Sequence, residues 1–362
     1  MKRRQFVGGL AAAATLSACA KQDADCGDNV SQESFEWSCV TSWPPKFPGL
    51  GLAPENLADR VEAASAGRLK IKVYGAGELV PAFEVFDAVS RGTVEMGHDA
   101  SYYHKGKVDA AQFFTAIPFG MTNLELNGWL YYGGGMELWR ELYAPFDLVP
   151  IPTGNTGVQM GGWFNKEINS ADDLKGLKMR IPGLGGEVLR RAGGTPVTLP
   201  GSEIFTALQT GAIDATEWVG PYNDASFGLH KAARFYYYPG WQEPGPGLET
   251  IIHKAAWDAL PTDLQSLLVT SCQAISTDMA AEYTHGNAVS LRQLKEDPNI
   301  EIRPFPAEVI TLLRSIAKDV VQELMATDPA SDKIGKAYFE YLAMVAEHSR
   351  ISEQAYLDTR EY

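Results

Sequence analysis

The sequence predicts an α/β protein with a parallel-type sheet covered by helices, followed by a second unit of similar kind. The first part of the chain alternates strand and helix patterns, an order that places neighbouring strands parallel beneath covering helices. After the segment Leu148–Pro152 a second group of short strand patterns begins, each broken by Gly or Pro. The length of 362 residues is enough for one large or two ordinary hydrophobic cores.

Alternating apolar and polar residues predict the strands of the first unit, and apolar residues at helical spacing predict its helices. In chain order these elements are a strand at Phe35–Val40, a helix at Pro54–Ala66, a strand at Leu69–Tyr74, a helix at Pro81–Arg91, a strand within Thr93–Ala100, a loop at Ser101–Gly106, and a helical segment at Asn123–Tyr143 interrupted by Gly133–Gly135.

The second unit is predicted from strand-like runs at 154–164, 177–183 and 214–222, with a helix between Ser202 and Gly211. Helical periodicity then continues from Thr262 to Lys295, which corresponds to about 50 Å of helix at 1.5 Å per residue. Two amphipathic helices, Pro306–Ala326 and Ser331–Ser349, follow. The second of these carries more apolar residues than a solvated helix needs, so we expect it to pack on the second unit or to meet another subunit.

The amino terminus has the features of an export signal. Lys2, Arg3 and Arg4 resemble a twin-arginine motif and precede the short apolar stretch Val7–Leu16, although an ordinary basic signal peptide is the alternative. Leu-Ser-Ala-Cys at 16–19 resembles a lipobox, so Cys19 is predicted to be lipidated. Cleavage nearby without lipidation would instead leave a soluble periplasmic protein. Residues 20–34 are polar and predict a tether.

Composition excludes several classes of function. The net charge is −14, and removal of the first eighteen residues with their three basic side chains gives −17, so nucleic acid is not an expected partner. The six histidines form no His-Glu-x-x-His pair, and neither Gly-x-Ser-x-Gly nor Cys-x-x-Cys occurs. Cys26 and Cys39 are candidates for a disulfide, although the sequence leaves the connectivity of Cys26, Cys39 and Cys272 open.

Arg180 is the main candidate binding residue. It stands in Leu-Lys-Met-Arg-Ile-Pro-Gly, before Pro182 and Gly183, and therefore near the carboxyl end of a strand, where open α/β sheets bind ligands. A guanidinium offers the paired donors that suit a carboxylate. From this segment alone, a surface arginine is the alternative.

These motifs also carry a family resemblance. The runs Gly-Asn-Thr-Gly-Val-Gln-Met-Gly-Gly-Trp-Phe at 154–164, Gly-Leu-Lys-Met-Arg at 176–180 and Gly-Ala-Ile-Asp-Ala-Thr-Glu-Trp-Val-Gly-Pro-Tyr at 211–222 resemble the solute-binding proteins of tripartite ATP-independent periplasmic (TRAP) transporters. The similarity is greatest to the branch that binds 2-oxo acids with a metal ion. It extends from about Trp37 to Tyr341.

The resemblance implies a two-lobed periplasmic binding protein that closes like a clamshell, with a long spine helix and C-terminal helices. The implied organisation is residues 1–19 as signal, 20–34 as tether, 35–153 with 245–262 as the first lobe, 154–244 with 296–362 as the second lobe, and 263–295 as the spanning helix. The run Leu248–His253 would return the chain to the first lobe, so two linkers would form the hinge.

The resemblance also implies a ligand site and a metal site. The ligand residues would be Arg180, Asn155, Gln159, Trp218, Tyr103, Tyr102 and Phe164, and the metal ligands would be Gln159, Glu217, Trp218 and Glu243. Two alternatives remain open from the residues themselves: Glu217 pairs only with Arg180, and the adjacent tyrosines are packing or surface residues.

The implied function is capture of a short 2-oxo monocarboxylate, such as pyruvate or 2-oxobutyrate, for delivery to a TRAP membrane permease. Charge counting favours sodium, because Arg180 with a monovalent cation balances Glu217 with a monocarboxylate; calcium would need Glu243 as a further anion. The alternatives are a metal-dependent, enolate-forming lyase, a sensor for a membrane receptor, and a protein that binds a hydroxy acid such as lactate with calcium. A homodimer through the C-terminal helices is also possible.

Overall fold

The protein is described here from a computed structural model, which covers residues 33–360. Its strands are β1 (Phe35–Thr41), β2 (Leu69–Tyr74), β3 (Met96–Asp99), β4 (Leu148–Asn155), β5 (Gly162–Phe164), β6 (Lys178–Arg180), β7 (Thr195–Val197), β8 (Ala215–Thr216), β9 (Phe235–Tyr238), β10 (Gly247–His253) and β11 (Glu301–Pro304). Its α-helices are α1 (Leu52–Ala64), α2 (Val85–Ser90), α3 (Asn123–Tyr132), α4 (Gly135–Tyr143), α5 (Gly183–Arg191), α6 (Gly201–Gln209), α7 (Pro221–Phe227), α8 (Lys254–Ala259), α9 (Thr262–Glu296), α10 (Ala307–Met325), α11 (Pro329–Ser349) and α12 (Ala355–Thr359).

The first sheet has the strand order β2-β1-β3-β10-β4. β1 pairs in parallel with both β2 and β3, in agreement with the strand–helix rhythm of the sequence. β10 is antiparallel to β3 and to β4, so the run predicted to return to the first lobe does enter this sheet. β4 continues to Asn155, which pairs with Gly247. The predicted start of the second lobe at residue 154 therefore falls inside a strand of the first sheet.

The second sheet has the order β11-β9-β5-β8-β6-β7. β6 lies between β7 and β8 and is parallel to both, which puts the carboxyl ends of these three short strands at one edge. β5 joins antiparallel to β8 and β9, and β11 adds a parallel edge strand from after the spanning helix. The fold is thus a mixed α/β fold in two lobes.

One predicted helix begins four residues later than expected, and another is interrupted at the glycine run where the sequence predicts a break. α2 begins at Val85 rather than at Pro81, because residues 81–84 form a turn in which the Glu84 amide donates to the Pro81 carbonyl at 3.0 Å. The helical segment from Asn123 is divided at Gly134, whose φ of 84° is left-handed and ends a helix at little steric cost.

The spanning helix α9 contacts both lobes, packing on β4 and α1 of the first and on α7 of the second. Gly286 allows the close approach to α7, since a Cβ there would lie 2.7 Å from the Tyr222 ring. A short hydrogen-bond chain joins the same elements to the first lobe. The Tyr283 hydroxyl donates to Asn223 Oδ1 at 2.7 Å, and Asn223 Nδ2 donates to the Pro48 carbonyl at 2.9 Å.

The C-terminal helices divide between the two lobes. α10 packs on α5, whereas α11 packs on α3 and α4. Tyr338 of α11 is buried against Phe113 and Trp129, and its hydroxyl accepts the Met121 amide at 2.9 Å. The expectation that α11 packs on the second lobe or meets another subunit was therefore wrong for Tyr338. Asp328 caps the start of α11, so the chain turns back at this point. The helix then packs on elements that precede β4 in the chain.

Several predictions concern residues outside 33–360: the export signal, Cys19, Cys26 and nearly all of the tether. Cys39 and Cys272, which are described, are buried free thiols, so Cys39 does not form the suggested disulfide. Among the described residues, no helix combines the length and the apolar character needed to cross a bilayer.

A cluster of ionisable side chains is buried in the first lobe. His104 Nε2 shares a hydrogen bond with Glu249 Oε1 at 2.9 Å and lies 3.7 Å from Asp99 Oδ2. The Tyr143 hydroxyl donates to Glu249 Oε2 at 2.9 Å. Removal from water raises the pKa of Glu249 to about 8 and that of Asp99 to about 7, and lowers the pKa of His104 to about 4.

Glu249→Gln should reduce the dependence of stability on pH. The pKa of Glu249 is raised on folding from 4.5 to about 8, so the folded state holds a proton that the unfolded state releases. Its contribution is complete below pH 4.5 and is lost as the pH rises through about 8. We therefore expect the wild-type free energy of unfolding to fall over this range, on the order of 1 to 4 kcal/mol more than in the variant.

The measurement is the melting temperature by calorimetry between pH 5 and pH 9. Glu203→Gln, a change in an exposed carboxylate of α6, is the control and should keep the wild-type slope. Identical slopes in Glu249→Gln and the wild type would contradict the assignment of this proton.

Candidate ligand and metal site

Arg180 ends β6 at the carboxyl edge of the second sheet, as the sequence predicts. Pro182 follows and cannot continue the strand, and α5 begins at Gly183. The side chain is only 1% exposed. The alternative of a surface arginine is therefore excluded by the structure.

The guanidinium of Arg180 is held on one side and unpaired on the other. Nε donates to the Leu199 carbonyl at 3.2 Å, and Nη1 donates to Glu217 Oε1 and, at 3.3 Å, to the Glu217 carbonyl. Its carbon Cζ lies 5.1 Å from the centre of the Trp218 ring, a cation–π distance. Nη2 has no hydrogen-bond partner although it is buried. A fixed donor of this kind suits an anionic oxygen.

Glu217 forms the ion pair with Arg180 that the sequence left as an alternative, but the pair does not use all of its atoms. Glu217 is 1% exposed, and its Oε2 has no partner. Its backbone amide donates to the Arg180 carbonyl at 3.2 Å, so the two residues are also joined through their main chains. One buried acceptor and one buried donor therefore remain unpaired in this pair.

Gln159 and Glu243 form a second polar pair. Gln159 Nε2 donates to Glu243 Oε2 at 2.8 Å, and the main chains are joined as well, with the Gln159 amide donating to the Glu243 carbonyl at 3.2 Å. Gln159 Oε1 is buried without a partner. Burial and the charge of Glu217 raise the pKa of the Glu243 carboxyl.

Arg180, Gln159 and Glu243 line one small cavity, which lies between the lobes. It has room for about one water molecule, so a ligand of several atoms would have to widen it. Its lining divides into a polar set of Tyr102, Tyr103, Thr156, Gln159, Arg180 and Glu243, and an apolar set of Trp43, Leu50, Trp218, Val219, Pro246 and Leu248.

Tyr102 and Tyr103 are brought to this cavity by a 3-10 turn, Ser101–His104, that follows β3. Their rings meet edge to face with centroids 4.7 Å apart, and the Tyr103 ring packs 6.1 Å from that of Trp43. Burial raises the pKa of Tyr103 to about 12, so its hydroxyl remains a donor at neutral pH. The two tyrosines therefore both pack against neighbouring rings and line the cavity.

Three predicted site residues do not line the cavity: Asn155, Phe164 and the predicted metal ligand Glu217. Asn155 closes a turn, since its Nδ2 donates to the Gly245 carbonyl at 2.9 Å and its Oδ1 accepts the Gly157 amide at 2.8 Å. Phe164 packs in the core of the second lobe, 5.1 Å from the Tyr237 ring and 5.8 Å from the Phe305 ring, centre to centre. The structure does not place its ring at the apolar wall of the cavity.

Sequence reasoning missed Trp43, Leu50, Thr156 and Leu248. Trp43 is oriented by His98, whose Nδ1 accepts the indole Nε1–H at 2.8 Å while its Nε2 donates to the Thr153 carbonyl at 2.9 Å. Trp43 and Thr156 follow the ends of β1 and β4, so the strand-end argument applied to Arg180 would have found both. Leu50 and Leu248 carry no comparable signal in the sequence.

The donor set fits a hard cation that is coordinated partly by a ligand. Within residues 33–360, no three His, Cys, Asp or Glu side chains meet in a group able to hold a metal ion. The unpaired oxygens of Gln159 and Glu217, together with the carboxylate of Glu243, nevertheless provide hard oxygen donors. The unpaired Arg180 nitrogen is a donor for the opposite charge. The site therefore suits an anion and a cation bound together.

Comparisons with known proteins identify the family of this chain. The family described as bacterial extracellular solute-binding protein, family 7, matches residues 39–328. A monocarboxylate 2-oxoacid-binding periplasmic protein of Nostoc sp. is 41% identical over 358 residues, 98% of each chain.

Two solved structures of TRAP periplasmic solute-binding proteins are also similar, each with a TM-score of 0.88, covering 91% of this chain and 100% of the other. One, from Pseudoalteromonas atlantica, is 45% identical and contains sodium and pyruvate. The other, from Colwellia psychrerythraea, is 43% identical and contains calcium and pyruvate. This chain therefore belongs to the family 7 extracellular solute-binding proteins, the periplasmic binding components of TRAP transporters.

Proposed function

We propose that this protein captures a short-chain 2-oxo monocarboxylate, of the pyruvate or 2-oxobutyrate type, together with a metal cation, and delivers it to a TRAP permease for ion-driven uptake. The observation that carries the proposal is that Arg180 and Gln159, which line the same cavity, each have a buried polar atom without a partner: Nη2 of Arg180 and Oε1 of Gln159. A ligand carboxylate would accept a hydrogen bond from the Arg180 nitrogen, and a cation would be coordinated by the Gln159 oxygen. The similar proteins that contain pyruvate with sodium or calcium support this choice.

In this proposal Arg180 binds the ligand carboxylate, and the Tyr103 hydroxyl, with that of Tyr102, donates to the remaining oxygens. Trp218 forms part of the wall around the alkyl tail. Leu50 and Leu248 complete that wall and limit the tail to a few carbons. Such a site rejects analogues without the polar group strongly and discriminates weakly between tails that differ by one methylene.

The metal ligands we propose are Gln159 through Oε1, Glu217 through Oε2, Glu243, and the main-chain carbonyl of Trp218. When bound, the cation supplies positive charge to the oxygens of the keto acid. We favour sodium, because Arg180 and a monovalent ion balance Glu217 and a monocarboxylate, and a neutral buried set avoids a large desolvation penalty. With calcium, an ionised Glu243 completes the balance.

Capture is coupled to closure of the lobes. Tyr102 and Tyr103 follow a strand of the first sheet, whereas Arg180 ends a strand of the second. A ligand that contacts both sets binds the closed form better and shifts the population toward it. We propose that no chemical step occurs, and an NMR record of pyruvate incubated with protein and metal would reveal any turnover or solvent exchange that an enolate-forming enzyme would cause.

We propose that residues 1–19 contain a twin-arginine signal that ends in a lipobox, and that Cys19 is kept as the lipidated first residue that anchors the mature protein to the membrane. The support is the basic start, the short apolar stretch and the Leu-Ser-Ala-Cys sequence. Cell fractionation checks the anchor, because Cys19→Ala would move the protein from the membrane to the soluble periplasmic fraction.

We also propose a homodimer through the C-terminal helices. The end of the chain exposes apolar side chains on α11 and beyond, with Met344 62%, Ile351 76% and Tyr356 62% exposed. A solved relative from Bordetella bronchiseptica, 37% identical, is described as a dimer. Sedimentation equilibrium decides the oligomeric state, and a monomer at micromolar concentration would refute this part.

Arg180→Ala should reduce the affinity for pyruvate at least 100-fold, about 3 kcal/mol, because the buried donor to the carboxylate is lost. Arg180→Lys keeps the charge but not the planar fork, so we expect at least a tenfold loss. Calorimetric titration in sodium chloride measures both. Arg314→Ala, which removes an arginine that stacks on Phe119, is the control. Retained micromolar binding in Arg180→Ala would defeat the proposal.

Gln159→Met should raise the sodium concentration needed for half-maximal pyruvate binding about tenfold, because it removes an uncharged oxygen ligand from the proposed metal site. The measurement is pyruvate titration in sodium chloride and in choline chloride, each with and without a calcium chelator. Gln322→Met on α10 is the control. Binding that survives without sodium but is abolished by the chelator would identify calcium instead.

A further inference from the structure

We propose that His104 is a positioning residue for the ligand site, which clamps the turn carrying Tyr102 and Tyr103 to strand β10 through Glu249. The inference rests on the proposed function, in which those two hydroxyls contact the ligand. His104 itself does not line the cavity. It would act only through the turn that it ends.

The turn depends on its anchors because it is short. Ser101–His104 is one 3-10 turn of four residues, with internal hydrogen bonds from the Tyr103 amide to the Ala100 carbonyl at 3.0 Å and from the Lys105 amide to the Tyr102 carbonyl at 3.2 Å. Such turns have little stability of their own. The direction of the two phenols is therefore set by what holds the ends of the turn.

Each end of the turn has a buried polar anchor. At the start, Ser101 Oγ donates to the Ala111 carbonyl at 2.7 Å. At the end, His104 Nε2 pairs with Glu249 Oε1 at 2.9 Å. The tyrosines lie between these two side-chain anchors. The His104 carbonyl also accepts the Lys107 and Val108 amides, at 2.9 Å and 3.0 Å, so the main chain restrains the same end and the side-chain contact fixes its direction relative to β10.

Glu249 is itself fixed and is close to the cavity along the chain. Its Oε2 accepts the Tyr143 hydroxyl at 2.9 Å, and its strand β10 is paired on both sides. The preceding residue, Leu248, lines the cavity. The His104–Glu249 contact thus joins the tyrosine turn to strand β10, whose Leu248 also lines the cavity.

An apolar residue would fill this position without the cost of burying ionisable groups, so the polar pair requires a reason beyond packing. His104 is 2% exposed and faces Asp99 from β3, Glu249 from β10 and the Phe86 ring of α2, 4.4 Å away, while Lys107 and Asp87 act on it from a greater distance. A hydrogen bond fixes a direction that an apolar contact leaves free. Orientation of the turn is the function that this geometry supports.

The test compares three variants. His104→Leu keeps most of the ring volume and removes the hydrogen bond, whereas His104→Gln restores an amide donor near the position of Nε2. Tyr338→Phe is the matched control, since it removes a buried hydrogen bond elsewhere in the first lobe. Two quantities are measured: the dissociation constant for pyruvate in sodium chloride, and hydrogen exchange of the Tyr103 and Lys105 amides in the ligand-free protein.

We expect His104→Leu to raise the dissociation constant at least tenfold and to accelerate exchange at both amides at least tenfold. His104→Gln should stay within threefold of the wild type in both measurements, and so should Tyr338→Phe. If His104→Leu does not fold, the double variant with Glu249→Leu, which leaves no unpaired carboxylate, takes its place.

Wild-type affinity and exchange in His104→Leu would overturn the proposal, as would equal losses in His104→Gln and His104→Leu. An equal loss of affinity in Tyr338→Phe would mean that the loss in His104→Leu reflects general destabilisation, and this result would also overturn the proposal. If the wild type does not bind pyruvate, the proposed function fails separately, and amide exchange still decides whether His104 holds the turn.

Discussion

The buried contact between Arg180 and Glu217 is the constraint on which the site depends. Both side chains are 1% exposed, and their main chains are hydrogen-bonded as well, so neither can turn away independently. Separating such a pair would leave an uncompensated charge in the interior, at a cost of about 3 to 5 kcal/mol. The pair is therefore rigid, and its two unpaired atoms keep fixed positions that an anion and a cation can use.

The polar side chains around this pair leave some of their hydrogen-bonding atoms without a partner. Gln159 uses its nitrogen on Glu243 and keeps an oxygen free, just as Arg180 uses Nη1 on Glu217 and keeps Nη2 free. Unpaired buried polar atoms are unfavourable in the empty site and become favourable contacts when a ligand arrives. In the proposed complex, part of the binding free energy would come from contacts that the protein alone leaves unmade.

The sequence was sufficient to predict features set by local patterns. Arg180 at a strand end and α9 both follow from spacing and from Gly or Pro signals, and the resemblance supplied the two lobes. Phe164 was misplaced because it lies in a three-residue strand and its side chain faces the core of the second lobe. Residue spacing alone does not reveal which way a side chain in so short a strand faces. Asn155 was misplaced because the turn uses both atoms of its amide. Leu248 and the His104–Glu249 pair depend on which strands become neighbours, and only the assembled sheet shows that.

The spanning helix α9 also constrains how the protein opens. It contacts β4 and α1 of one lobe and α7 of the other, and Gly286 brings the last of these into close contact. A free swing about two loops would have to detach this helix from one lobe. The proposed opening would require that this interface slide or that the 35-residue helix bend, so the stiffness of α9 would oppose the motion.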